Sequence, residues 1–203
     1  MSHSTGSEIH LLIIWNYALD KLDEIQADLE KTFLIRRHYR VNWQDHLFSS
    51  NLTRFYGQNL PPGSGKEAHC GRGPFHAFIL EDRAPLYETR MTSRGPEQVN
   101  VNLFDAKAKY RDWTGGGHRI HATNSPEESD KDIWLLLHRT ADSFRDELDT
   151  QLEEIQLDLI GAEGWQSLGQ LFETLNELSN YVVMRNFECL PDQYFYGEHG
   201  DID

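Results

Sequence analysis

The chain has 203 residues, with 19 Lys and Arg against 33 Asp and Glu, a formal net charge of -14, and 38% hydrophobic and 26% charged residues. These globular proportions fit one large or two small domains and exclude collagen-like and wholly disordered chains. The acidic balance disfavours general nucleic-acid binding, which needs a basic face. Uninterrupted apolar runs such as Leu11 to Trp15 fall far short of the ~20 residues that span a bilayer, so no membrane partner is expected. The first residues lack the basic-then-apolar pattern of a secretory signal, and two cysteines, Cys70 and Cys189, in no CxxC spacing predict reduced thiols and a cytoplasmic protein.

Residues 9–15 form an Ile- and Leu-rich run that reads as a buried strand. Ala18, Leu22, Ile25 and Leu29 then recur at helical spacing in a helix ending near Phe33. Leu34 to Val41 predicts a second strand, and Asn42 or Asp45 can start a helix carrying Leu47, Phe48, Leu52 and Phe55. Gly57 to Gly73 is a loop by composition; its Gly65-Lys66 pair lacks the glycine spacing and the following Ser or Thr of a phosphate loop. Pro74 to Leu80 is a third strand, Pro85 to Thr92 fits helix or strand equally, and residues 99–113 read as a loop with a short helix bearing Phe104, Tyr110 and Trp113. After the break at Thr114-Gly115-Gly116-Gly117 comes a short strand, His118 to Thr123. A well-marked helix start follows, with Ser125 as N-cap, Pro126 at the first position and Glu128 closing a capping box, and the helix runs to about His138. Beyond it, Phe144, Leu148, Leu152, Ile155 and Leu159 predict one amphipathic helix, Leu168, Leu171, Phe172, Leu175 and Leu178 another, and Tyr181 to Arg185 a strand. The alternation predicts helices packed over one small sheet in residues 1–138, a helical segment over 139–180 and a tail over 181–203.

Chemistry concentrates in residues 115–133, where a glycine turn leads into a strand carrying His121 and a capped helix returns Asp132 toward it. Neutral imidazole is a nucleophile near pH 7, and a carboxylate on its far nitrogen fixes the tautomer and stabilises the cation formed on reaction. On spacing alone the more ordinary reading is a strand histidine that is merely hydrogen-bonded. His118 with His121 has the character of a metal-ligand pair, but no third ligand is evident. Arg36, Arg37, His38 and Arg40 are either a solvated face or a docking patch.

Taken together, residues 9–137 resemble a divergent nucleoside diphosphate kinase domain. IHLLIIW and LDEIQADLEKTFLIRRHYRV are similar to that family's first strand, first helix and second strand; NLTRFYG resembles its helix ending in tyrosine, and GPFHAFILED its Gly-Pro strand. The resemblance implies an α+β, ferredoxin-like α/β sandwich, here with a C-terminal helical extension, that relays phosphate between nucleotides through a phosphohistidine. It places the phosphorylated histidine at His121, with Asp132 as its hydrogen-bond partner and Thr123 beside it. Phosphate or nucleotide contacts fall on Tyr56, Arg90, His118 and one of Lys107, Lys109 and Arg111. Mg2+ with ATP or GTP, nucleotide partners and a homo-oligomer are further implications. The chain departs from the family pattern where Trp15 replaces a strand-end lysine and His118 an asparagine, so phosphotransfer, binding without turnover and a purely structural role all stay open. The tail resembles the opening of a nucleotidyltransferase-superfamily domain, in which Asp201 and Asp203 would hold divalent metal; the alternative function is then a non-catalytic nucleotide-binding or assembly module of such an enzyme. Gly200-Asp201-Ile202-Asp203 reads equally as an ordinary acidic terminus.

Overall fold

A computed structural model describes residues 6–184 and 189–199. The chain runs β1 (Glu8–Ile14), α1 (Leu22–Thr32), β2 (Leu34–Asn42), α2 (Phe48–Tyr56), α3 (Gly65–Cys70), β3 (Phe75–Asp82), β4 (Tyr87–Thr92), β5 (Gly95–Asn100), α4 (Val101–Trp113), β6 (Ile120–Ala122), α5 (Pro126–Leu137), β7 (Asp149–Gln156) and α6 (Leu168–Leu178). Five strands form one sheet in the order β6-β1-β3-β2-β7, while β4 and β5 pair as a separate hairpin. β3 is antiparallel to both β1 and β2, and β6 is antiparallel to β1. Two β-α-β crossovers therefore interleave, an arrangement consistent with the ferredoxin-like expectation. Among the described residues no helix is long and apolar enough to cross a membrane.

The two central strands, β1 and β3, are buried along their whole length. Helices cover both faces of the sheet, so these strands read as continuous apolar runs and not as alternating ones. On one face Ile25 and Leu29 of α1 and Leu103 and Tyr110 of α4 meet Leu12, Ile14, Phe78 and Ile120. On the other, Phe48, Leu52 and Phe55 of α2 and Ile133 and Leu136 of α5 pack on Leu11, Ile13, Tyr39, Val41 and Phe75.

Several sequence expectations are corrected. Residues 99–113 are mostly helix: Asn100 caps α4 by accepting from the Asn102 and Leu103 amides at 3.0 and 3.4 Å. The loop 57–73 contains the short α3, capped by Ser64, and Pro85 to Thr92 resolves as the strand β4. The amphipathic helix expected through Phe144, Leu148, Leu152, Ile155 and Leu159 does not form. Its middle is β7, parallel to β2, with Leu152 opposite His38 and Ile155 opposite Val41. Phe144 and Leu159, 0% and 2% exposed, belong to the main core, so residues 139–164 are not a helical appendage. The second expected helix is present as α6, whereas Tyr181 to Met184 form no strand.

β7 also settles the arginine cluster on β2. Arg37 pairs with Glu153, Arg40 with Glu154 at 2.8 Å, and Arg36 with Glu81 of β3 at 2.6 Å. The cluster is thus a structural face that receives an acidic edge strand. His38 Nε2 lies 2.8 Å from His76 Nδ1, and burial lowers His38 to about 4, keeping the pair neutral in the sheet.

Candidate functional site

β6 carries His121 at the edge of the sheet. The glycine turn before it is required locally: Gly117 has φ +72, and a Cβ there would stand 2.8 Å from the His69 ring. α5 follows as its sequence predicts. Ser125 Oγ accepts from the Glu128 amide at 3.3 Å, while Glu128 Oε2 reaches past the cap to accept from the Asn124 amide at 2.6 Å. This fixes the start of α5 so that Asp132, one turn further on, faces β6. His121 Nε2 and Asp132 Oδ2 are 2.8 Å apart, with His121 8% and Asp132 3% exposed. The imidazole stands edge-on to the rings of Phe55 and Tyr56, at centroid distances of 5.2 and 5.7 Å. Its Nδ1 makes no hydrogen bond among the described residues and is left for the cleft.

That cleft, about 390 Å³, lies between α4, α5, the end of α2 and the β4–β5 hairpin, and His121 and Asp132 line it. Five cationic side chains line it as well: Lys66, Arg94, Lys107, Arg111 and Lys131. Lys107 and Arg111, one helical turn apart on α4, do two jobs. Lys107 Nζ donates to the Ala122 carbonyl and Arg111 Nε to the Ile120 carbonyl, each at 3.0 Å, covering the outward carbonyls of the edge strand on either side of His121. Lys107 also donates to Asn124 Oδ1 at 2.6 Å. Burial lowers its ammonium to about 8 against the pull of Glu128, and burial likewise lowers Arg111.

Tyr56 of α2 is held by a donor from the core. Trp15 Nε1 donates to its hydroxyl at 3.2 Å, and burial pushes that phenol well above its ordinary range. Trp15 itself is fully buried among Trp43, Phe55 and Phe75, so it neither lines nor blocks the cleft. On the Tyr56 ring sits Lys66 Nζ, 3.7 Å from the centroid, with Gln58 Oε1 as its hydrogen-bond partner at 3.0 Å. His118 lines the same cleft, its imidazole kept down by burial and by the charges of Lys66 and Arg111. Cys70 is no nucleophile here, since burial pushes its thiol up to about 12.

Of the residues singled out in the sequence, His121, Asp132, Tyr56, His118, Lys107 and Arg111 come together in this cleft. The others do not. Lys109, on the opposite side of α4, pairs with Asp28 of α1. Arg90 pairs with Glu88 and stands 4.0 Å from Asp105. Thr123 is fully buried and turns to His10 Nδ1 and Ser129 Oγ, at 3.1 and 2.8 Å, in a polar cluster that also holds Glu8. Asp201 and Asp203 lie outside the described residues. Lys66, Arg94 and Lys131 also line the cleft. Of these, Lys66 alone carries a signal in the sequence, as a lysine in a glycine-flanked loop, although that loop does not have the phosphate-loop pattern.

No family model matches the chain, and no curated protein does. Among solved structures it is similar to the nucleoside diphosphate kinase of Aquifex aeolicus, with 20% sequence identity and a TM-score of 0.41 over 63% of this chain and 92% of that one. What the cleft does must therefore come from its own residues.

Proposed function

We propose that this chain binds the phosphates of a nucleotide in the basic cleft and accepts a phosphoryl group on His121. One observation carries the reading: a buried histidine is pinned by Asp132 through Nε2, with its other nitrogen turned to a cleft lined by Lys66, Arg94, Lys107, Arg111 and Lys131. Asp132 holds the tautomer with the proton on Nε2, which leaves the Nδ1 lone pair for attack. The N–P bond forms as the bond from the terminal phosphorus to its bridging oxygen breaks. The diphosphate leaves, the Nε2 proton stays, and Asp132 stabilises the charge that develops on the ring. The step reverses onto a second diphosphate. The cations position the phosphates and spread their charge, which is where most of the catalysis of phosphoryl transfer resides. Glu97, a hard oxygen donor on the β4–β5 hairpin that lines the cleft, suits a magnesium ion arriving with the phosphates, which when bound would neutralise phosphate charge.

A second reading, binding without transfer, draws on the burial of His121 and on the Phe55 and Tyr56 rings that flank it. Intact mass after incubation with magnesium and ATP or GTP separates the two. A single phosphoryl adduct that survives neutral quench, disappears in acid and is missing from His121→Ala is expected. A folded chain that is thermally stabilised by nucleotide yet carries no adduct overturns transfer in favour of binding.

A further inference from the structure

We propose that His121, Glu128 and Asp132 form a site for a divalent first-row transition-metal ion, separate from any magnesium that travels with a nucleotide. One ligand atom from each of the three lies within 4.8 Å of the others. The sequence offered only His118 as a partner for His121. The fold instead supplies two carboxylates one turn apart on α5, brought to the strand histidine by the cap at Ser125.

Charge points the same way. Asp132 is 3% exposed, and among the described residues neither Asp132 nor Glu128 has a Lys or Arg within ion-pair distance. The Glu128 carboxylate accepts through Oε2 from the Asn124 amide and makes no other hydrogen bond among the described residues. Two carboxylates beside an imidazole make an acidic corner in a cleft lined elsewhere mostly by cations, which a divalent cation would complement. Imidazole nitrogen with carboxylate oxygen suits zinc, manganese or cobalt better than magnesium or calcium. At metal–ligand distances of about 2.0–2.2 Å, the Nε2–Oδ2 contact needs to open only slightly to admit an ion. Three protein ligands leave a coordination position toward the cleft, where Lys107 and Lys131 stand ready for an anionic fourth ligand. Coordination through Nε2 would send the ring proton from Nε2 to Nδ1, the nitrogen that phosphoryl transfer needs free, so metal and phosphoryl group compete for one histidine. The site does not depend on phosphoryl transfer taking place, because its test is read on the metal itself.

The test is titration of the full chain with Co2+, followed by the visible d–d absorption of the bound ion. A saturable band at one Co2+ per chain, discharged by Zn2+, is expected, with affinity lowered at least about tenfold in both His121→Ala and Glu128→Gln and kept in His118→Ala. Cooperative melting of each variant checks its fold. Mn2+ added to the unmutated chain supplies an independent readout, since the ring signals of His121 should broaden before those of His69 and His118. Absence of a saturable band, unchanged binding by folded Glu128→Gln, or broadening centred on His118 would overturn the assignment.

Discussion

Replacing Asp132 with Asn separates an orienting role from a structural one, because the first predicts lost rate with stability kept and the second a matched loss of both. The Nε2–Oδ2 contact of 2.8 Å is buried, so it has the strength of a hydrogen bond to a charged group. Such bonds contribute about 1.5–3 kcal/mol against about 0.5–1.5 for neutral pairs. In the transition state, where charge develops on the ring, Asn of the same volume presenting its carbonyl to Nε2–H forfeits about 1–2 kcal/mol, which is about 5- to 30-fold in rate. If the amide presents its NH2 instead, the ring proton moves to Nδ1 and the loss is larger. Stability should change little, since the weakened hydrogen bond is offset by removal of a buried carboxylate that has no Lys or Arg partner at ion-pair distance among the described residues. Single-turnover phosphorylation followed by intact mass, with thermal melting of the same samples, reads both quantities. Phosphorylation at the wild-type rate, or a loss of rate matched by a loss of melting temperature, would refute the orienting role.

Lys66→Gln should weaken ATP binding about 5- to 30-fold, the ~1–2 kcal/mol of one ammonium near phosphate at intermediate dielectric. Its melting temperature should be kept, because Lys66 only donates to Gln58 and rests on Tyr56. Arg90→Ala, outside the cleft, should bind as wild type in the same calorimetry. Lys107, lowered to about 8 by burial, is cationic below that pH and neutral above it, so affinity for inorganic tripolyphosphate should hold from pH 6.5 and fall as pH rises through about 8. Bound anion shifts that midpoint upward, and Lys107→Met should remove the inflection. Leu159→Ala should cost about 2–4 kcal/mol in urea unfolding, since Leu159 is 2% exposed in the main core; a loss below ~0.5 kcal/mol would show that the stretch after α5 is dispensable.

Local grammar made the heart of the site legible. Ser125, Pro126 and Glu128 mark the start of a helix whatever the rest of the chain does, and that start fixes Asp132 opposite His121. Helical periodicity alone separates Lys107 and Arg111 from Lys109, but the loop assigned to residues 99–113 hid that face until Asn100 was found as its cap. β7 mimics a helix for a physical reason. The apolar residues in and beside it, Leu148, Leu152, Ile155 and Leu159, happen to fall three and four apart, and it lies exposed at the sheet edge, where no alternating buried face is imposed. What holds it is a parallel backbone ladder to β2, with Glu153 and Glu154 matched to arginines more than a hundred positions earlier in the chain. No local pattern contains that information. Thr123 illustrates the limit of transferring roles by position: it lies two residues from His121 on the same strand, yet its hydroxyl serves the His10 and Ser129 cluster.

Trp15 gains meaning once its neighbours are known. A lysine placed there would set an ammonium among Trp43, Phe55 and Phe75, at a cost of several kcal/mol. The aromatic cluster therefore excludes a cation at the end of β1. Trp15 instead spends its indole N–H on the Tyr56 hydroxyl, fixing the ring on whose face Lys66 lies. The cation at this corner of the cleft comes from α3, and its orientation depends on residue 15 through the ring between them. On this view Trp15 and Lys66 act as one unit, and losing either the indole donor or the ammonium should disturb the same corner of the cleft.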